Sequence, residues 1–518
     1  MRLGSRPLVT TACTLLLAAA FACALLVAPR HATTAPPPST VLKLAPEAGL
    51  AYDVRNADNG ERIPCKLTLI GINGTARPLL TRNDIGRQEG DSIVAYDRIM
   101  SATGLGVARV PFGVYDVYVS RGPEWDLYVA HKVVVGAKGA FVAARLRHVV
   151  DSAGWISADF HVHAAASTDS HVPMQDRIYE FLSDGVEFIT STDHNVVADY
   201  APIIAELGVA KEIGSIVGDE MTTGSWGHFG AFPLPQDLER AGQGAVLVHG
   251  RTAVDVFADV RKLAPGAIID VHHPRIDKDI GYFNLGKFDS ATDHADRAGF
   301  SHDFDAVEVL NGYQDPERRH IDRVIQDWFN LLNHGRVATA TGNSDTHHLD
   351  MNIGGYPRNY VRVNDDAPPR VTPAEIAAGV RGHHSFFTTA PFVRFHVDKA
   401  DIGDVARASS GKVTAEVEVQ AAPWVSVSTV TLYQSGREVK KWQVPAGQER
   451  LRFKGSAELS VERDGWVVAR VDGDQPLAPV VGDRIRFDVR PLAVTNPIFL
   501  DHDGNGVYDA PLARKAVK

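Results

Sequence analysis

The chain has 518 residues and a mass of 56.1 kDa, too long for one ordinary domain and suited to two to four. Hydrophobic residues at 44% and charged residues at 22% exclude a disordered protein, and a formal charge of -10 argues against a broad basic surface for nucleic-acid backbone. Three cysteines exclude a disulfide scaffold, whereas 21 histidines are conspicuous.

Residues 1–32 hold Arg2, Arg6 and Arg30, no acid, and the apolar run LVTTACTLLLAAAFACALLVAP. A basic start followed by an apolar core is expected to be a secretory signal or an uncleaved signal anchor, and residues 8–28 are long enough to span a bilayer. The expectation is an exported protein, periplasmic or at the cell surface, touching a membrane only through this segment. Residues 33–44, rich in Thr and Pro, read as a linker. Cys13 and Cys23 fall in the leader, so a cleaved chain keeps only Cys65 and forms no internal disulfide. Without the three leader arginines, 50 basic residues stand against 63 acidic ones, a charge of -13.

Residues 45–150 read as a β-sandwich-like domain, since KLTLIGI, VYDVYVS, LYVAHKVVV and FVAARLRHVV are separated by Gly, Pro and Asp. From 151 to 395 strands alternate with helices: GWISADFHVH, MQDRIYEFLSDG, VEFITSTDHN, AVDVFADVRKLA, GAIIDVHHP, FDAVEVLNG, ERRHIDRVIQDWFNLLNHG and RVATATGNSDTH. Thr372, Pro373 and Glu375 form a capping box that opens a further helix. This alternation predicts a parallel α/β barrel or a doubly wound sheet of about seven strands. Residues 396–518 return to β. KVTAEVEVQ alternates Val413, Ala415, Val417 and Val419 with polar residues, and Asp464-Gly465 reads as a hairpin turn.

Polar residues collect at the ends of the central strands: His161-Val162-His163, Asp193-His194, Asp219-Glu220, His272-His273-Pro274 and Asp345-Thr346-His347. Strand ends of this kind converge on one rim of an α/β barrel. With a period of two, His161 and His163 share one side of their strand. Imidazoles together with carboxylates suit Zn, Mn or Fe.

These segments resemble the polymerase-and-histidinol-phosphatase superfamily of metal-dependent hydrolases over about residues 150–395. DFHVHAAASTDS is similar to its first motif, STDHN to its second, VHHP to its third and GNSDTH to its fourth, with GDEMTT and GHFGAFP between them. VEVLNG, GGYPRNYV and GHHSFFTTAPF are similar to the branch that includes carbaryl hydrolase. The resemblance implies a distorted seven-stranded (β/α) barrel, flanked here by the two β domains, and two or three divalent ions. By position it implies the ligands His161, His163, Asp169, His194, Glu220, His228, His273, Asp345 and His347, with His273 preferred to His272 because it precedes the proline.

Asp193 is read as orienting His194 through a hydrogen bond, with proton transfer as the alternative. Arg275, Arg358, His383 and His384 neighbour the motifs; they either hold an anionic group or form structural pairs, and His273, Arg275, Arg358 and His384 join Asp193 as catalytic candidates. His171, His302, His320, His334 and His348 are read as solvated or supporting. DHDGNGVYD places Asp501, Asp503, Asn505 and Asp509 at positions 1, 3, 5 and 9 of a calcium-type loop, with Leu512 where Glu is needed; an Asx-rich turn is the alternative.

No Gly-rich phosphate loop or dinucleotide fingerprint is present, so neither ATP nor NAD is implied. The expected reaction is hydrolysis by a metal-activated water, first of a phosphoester on a nucleotide, an oligonucleotide end or a small phosphomonoester. A carbamate, ester or amide, bound in a pocket using Tyr282, Phe283, Phe386 and Phe387, is the alternative. A non-catalytic surface protein with structural metals is the third reading.

Overall fold

The computed structural model describes residues 46–81, 84–276, 278–312, 319–350, 353–482 and 488–513; the leader and linker lie outside them. Residues 46–146 form a three-stranded sheet (Leu105–Pro111, Glu47–Asn56, Ala140–Leu146) and a six-stranded sheet centred on Cys65–Gly71 and Gly113–Ser120. Leu50, Tyr52, Leu67, Leu69, Val117 and Val142 fill the core they share. The odd-even pattern of these strands buries one face and leaves the other in water.

The central region supplies β1 (Trp155–Val162), α1 (Met174–Ser183), β2 (Phe188–Ser191), β3 (Gly214–Val217), β4 (Asp219–Thr223), β5 (Gly227–Phe232), α2 (Ala253–Leu263), β6 (Ile268–Val271), β7 (Ala306–Asn311), α3 (Arg319–Asn333), β8 (Thr339–Asn343), β9 (Arg358–Arg362), α4 (Pro373–Arg381) and β10 (Ser385–Thr388). The Thr372 hydroxyl accepts from the Glu375 N–H at the start of α4, as its sequence predicts. The return bond of the expected capping box is absent there, since Glu375 accepts from Asn364, whereas Thr252 and Asp255 form a full capping box on α2.

The expected seven-stranded (β/α) barrel does not form. Among the described residues the central strands divide between two open sheets in a mostly β molecule. One runs β3-β2-β1-β9-β10 and continues into the C-terminal strands Leu492–Thr495, Gly465–Asp472, Thr429–Gln434 and Arg437–Gln443; the other runs β4-β5-β6-β7-β8. Among the described central strands only β1/β2, β2/β3, β6/β7 and β7/β8 are parallel pairs.

Two seams explain the missing closure. The free edge of β1 is taken by β9, which pairs antiparallel from Trp155↔Arg362 to Ala158↔Asn359, so β8 has no backbone edge to join there. Side chains bridge at this level: Asn359 receives the Gly342 N–H at 3.0 Å and donates to the Gly342 carbonyl at 2.9 Å, while Asn343 accepts from the Phe160 N–H at 3.2 Å; backbone contact appears only beyond, at the isolated parallel bridge Val162↔Thr346. At the other seam β3 and β4 part at Gly218, and isolated bridges His194↔Glu220 and Ala198↔Gly218 replace a ladder.

The C-terminal strands also differ from expectation at one turn. Leu451–Ser460 pairs with Lys412–Gln420, whereas Gly465–Asp472 belongs to the long sheet, so Asp464-Gly465 carries the chain between sheets and is not a hairpin. Lys412–Gln420 alternates exposed and buried residues as read from its sequence.

Candidate metal centre

The strand ends deliver their polar side chains to one place, where Glu220 lies at the middle. Its fully buried carboxylate faces six imidazoles: His194 Nδ1 at 2.7 Å, His272 Nδ1 at 2.9 Å, His161 Nε2 at 3.0 Å, His228 Nδ1 at 3.3 Å, and His163 and His273 Nε2 at 3.5 Å. Asp345 Oδ1 lies 3.1 Å from His161 Nε2 and 3.2 Å from His163 Nε2. Asp169 Oδ2 lies 2.9 Å from His194 Nε2 and 3.2 Å from His347 Nε2. Ligand atoms converge in four overlapping groups: His163, Asp169, His194 and His347; His161, Glu220 and His272; His161, His163 and Asp345; His194, Glu220 and His228.

The backbone is strained where these side chains leave the strands. Asn195, His273 and Asp345 have φ of 55°, 28° and 50°, a region that non-glycine residues seldom adopt and that clusters at functional sites. Gly230 leaves the space that the His272 ring fills: a Cβ there would lie 2.3 Å from His272 Nε2. Accessibility is graded, for His161 and Glu220 are closed to solvent while the Asp169 side chain is 49% exposed, so the cluster opens on the Asp169 side.

Opposing charges set the protonation states. Burial opposes ionisation of Glu220, yet His228, His161 and His194 hold its carboxyl well below the usual range. Burial likewise disfavours the His161 cation, but Asp345, Glu220 and Glu308 overcome it and raise that imidazole. For His163 burial wins and pushes it down to about 3, and His272 falls to about 4 through burial and the nearby His161. Neutral imidazoles of this kind present the lone pair that a divalent cation needs.

The buried atoms His161 Nε2, His163 Nε2, His228 Nδ1, His272 Nε2, His273 Nδ1 and Glu220 Oε2 make no well-formed hydrogen bond, although several of them lie within 3.5 Å of an opposing carboxylate or imidazole. Buried polar atoms are almost always satisfied. Five such imidazole nitrogens beside a carboxylate oxygen have the chemistry of a divalent-cation site, so the donor set fits such ions.

All nine ligand candidates reach the cluster, and His272 joins them. The preference for His273 over His272 is revised: both face Glu220, but it is His272 Nδ1 that converges with His161 and Glu220. Sequence reading also missed Glu308, which is buried on β7 and faces His161 Nδ1 at 3.0 Å while accepting from the His273 N–H at 2.7 Å. An acid between Val307 and Val309 in an apolar strand was the available signal, because a buried carboxylate is costly without partners.

The remaining candidates stand elsewhere. Asp193 accepts from the Ala164 N–H at 2.8 Å and the Tyr200 hydroxyl at 3.3 Å, and Glu220, Asp169 and Thr222 hold the His194 ring in its place. Consecutive side chains on extended backbone point to opposite sides, which separates Asp193 from His194. Arg275 is buried and paired with Asp327 at 2.7 Å. Arg358 is fully buried and donates to the carbonyls of Gly355 and Asp184. His384 bonds Arg362, whose partner in the sheet is Trp155 at the start of β1, the end opposite His161 and His163. His383 meets Thr339 at the start of β8. Tyr282, Phe283, Phe386 and Phe387 are buried in the hydrophobic core.

Of the two readings of the C-terminal loop, the contacts match the Asx-rich turn. Asp501 spends both oxygens on the Gly504, Asn505 and Gly506 N–H groups, in the manner of an Asx turn. The carboxylates that converge there are Asp464, Asp503 and Asp509.

Fold and site thus define a β-rich protein with a buried histidine-carboxylate cluster suited to divalent cations. The chain matches no family model, and no curated protein matches it in sequence. Among solved structures it is similar to a Bifidobacterium adolescentis protein described as a metal-dependent phosphoesterase, at 14% identity and a TM-score of 0.26, over 37% of this chain and 87% of that one. It is also similar to an engineered protein at 16% identity and a TM-score of 0.14, over 38% of this chain and 41% of that one. At these scores the site's own geometry is what bears on its chemistry.

Proposed function

We propose that the protein is a metal-dependent hydrolase of the polymerase-and-histidinol-phosphatase type, acting on phosphoesters. The observation that carries the reading is the set of five buried imidazole nitrogens around Glu220, together with its own Oε2, that make no well-formed hydrogen bond. Two or three divalent ions, Zn, Mn or Fe, held by His161, His163, Asp169, His194, Glu220, His228, His272, His273, Asp345 and His347, would supply Lewis acidity and an acidified water. The two Glu220 oxygens face different imidazoles, Oε1 that of His161 and Oε2 that of His194, so this carboxylate would be among the residues that hold the ions. Glu308 beside His161 Nδ1 and the Asp345 carbonyl 2.9 Å from His347 Nδ1 hold both rings with Nε2 turned inward. Export rests on the basic and apolar opening of the chain.

A second reading, hydrolysis of a neutral ester or carbamate, is favoured by one observation. Arg275 and Arg358 are committed to protein partners, and a cavity of about 220 Å³ beside His273 is lined by Ile276, Val309, Leu310, Ile321 and Val324 as well as by Arg275, Glu308, Asn311 and His320. The test is a side-by-side assay of a phosphodiester, a phosphomonoester and an aryl carbamate with the Mn- or Zn-loaded chain, using Asp345→Ala/His347→Ala as blank. Phosphoester turnover lost in the double variant supports the first reading. Carbamate turnover alone supports the second. Metal bound without turnover of any of the three refutes both.

A further inference from the structure

The segment 345–349 carries two cluster residues and lies in no named helix or strand; backbone bonds hold only its start, where the Asp345 N–H donates to the His161 carbonyl at 2.9 Å and the His163 N–H to the Thr346 carbonyl at 3.2 Å. Side chains hold the rest, among them the Ser170 hydroxyl, which donates to the His347 carbonyl at 2.9 Å. From the α1 side the buried Arg177 donates to the His163 carbonyl at 2.9 Å, the Thr346 hydroxyl at 2.8 Å and the His348 carbonyl at 3.3 Å, with Glu180 as its counter-charge. From the other side the contacts come from the N-terminal β region. Asp84 Oδ2 meets His348 Nδ1 at 2.7 Å, and Asp84 Oδ1 accepts from the Leu349 N–H at 3.2 Å and the Tyr96 hydroxyl at 2.9 Å. Arg98 donates to the Leu349 carbonyl at 3.0 Å, and Leu349 is buried in one cluster with Ile93, Ala95 and Met100.

We propose that Asp84 is a positioning residue for the metal centre: it anchors His348 and Leu349 so that the adjoining His347 presents Nε2 toward Asp169, His163 and His194. The N-terminal β region is then part of the site and not a separable module. This inference rests on the reading of the cluster as a metal centre. Asp84 touches no ligand atom itself, and its effect passes through one peptide unit. The His347 ring is already oriented by the Asp345 carbonyl, so what remains to be held is the path of the chain after it. Asp84 is anionic in this setting; burial opposes its ionisation, but His348, Tyr96 and the Leu349 N–H keep its carboxyl below the usual range.

The experiment is calorimetric titration of the chelator-stripped full chain with Mn²⁺ and with Zn²⁺, together with Tm, for wild type, Asp84→Ala, Asp84→Glu and Val117→Ala. Val117 lies fully buried between the N-terminal sheets, away from this contact, and reports loss of N-terminal stability alone. The expected result is that Asp84→Ala weakens one class of sites by about tenfold to a hundredfold, the usual effect of losing a group that orients a ligand. Binding at the deeper His161, Glu220 and His272 group persists, Asp84→Glu recovers part of the loss, and Val117→Ala lowers Tm with affinities unchanged. Wild-type affinities in Asp84→Ala, or an equal loss of affinity in Val117→Ala, overturn the proposal. A wild-type chain that binds neither ion overturns the reading of the centre beneath it, a result distinct from either of these.

Discussion

Gly230 offers the sharpest test of the geometry, because replacing it adds one methyl group and no charge. A Cβ at this position would sit 2.3 Å from His272 Nε2 and 2.8 Å from its Cε1, where ordinary contact begins near 3.4 Å. The ring must therefore move by about 1 Å, since the other party is a β5 backbone atom in a paired strand. It has little freedom to do so: its Nδ1 is 2.9 Å from Glu220 Oε1, and its face stacks on His161 with centroids 3.6 Å apart. Overpacking of this kind costs about 1–3 kcal/mol. Charged to metal binding, that is roughly a fivefold to 150-fold loss of affinity, and a misplacement near 1 Å lowers turnover by about a hundredfold. The assay is titration of apo Gly230→Ala with Mn²⁺ or Zn²⁺, followed by the hydrolysis rate. Gly266→Ala serves as control, because its Cβ would meet nothing within 4 Å. Wild-type affinity and rate in Gly230→Ala would refute the placement of His272 against Glu220.

Other outcomes follow from single contacts. Glu220→Gln keeps the shape but removes the charge that six imidazoles face, and bound metal measured by elemental analysis is expected to fall below one ion per chain. Arg275→Ala breaks a buried pair with Asp327, so thermal unfolding should show a loss of about 3–5 kcal/mol with KM unchanged; a rise in KM at full stability would restore the phosphate-binding role. Glu187 lines a cavity of about 560 Å³, and burial together with the nearby Glu124 pushes its carboxyl up to about 8. A raised folded-state value favours the neutral form, so this contribution is complete below about pH 4.5 and is lost as pH rises through 8, a loss of roughly 3–5 kcal/mol. Glu187→Gln should therefore flatten the fall of Tm between pH 5 and 9; an unchanged slope would count against it.

Much of the centre was legible in the chain because it depends on local periodicity. His161 and His163 share a side of β1 by the period of two, and the alternation of Lys412–Gln420 and the cap of α4 at Thr372 follow from residues a few positions apart. Five polar clusters at strand ends contain seven of the nine ligand candidates, and Asp169 and His228 came only through the family resemblance. What the chain alone did not decide was which backbone edge pairs with which, and which charge meets which. β9 comes from about 200 residues downstream to occupy the edge of β1, and with it the barrel opens into two sheets. Arg275 reads equally as an anion-binding residue or as half of a structural pair until Asp327 on α3 is seen beside it, and Asp464-Gly465 reads as a hairpin until its flanking strands are found in different sheets. His272, Glu308 and Asp84 acquire their roles the same way, through partners distant in sequence. A residue's neighbours along the chain govern its local conformation, but the partner that satisfies a buried charge or a free strand edge is selected only when the whole chain competes for it, and that selection is made by tertiary packing.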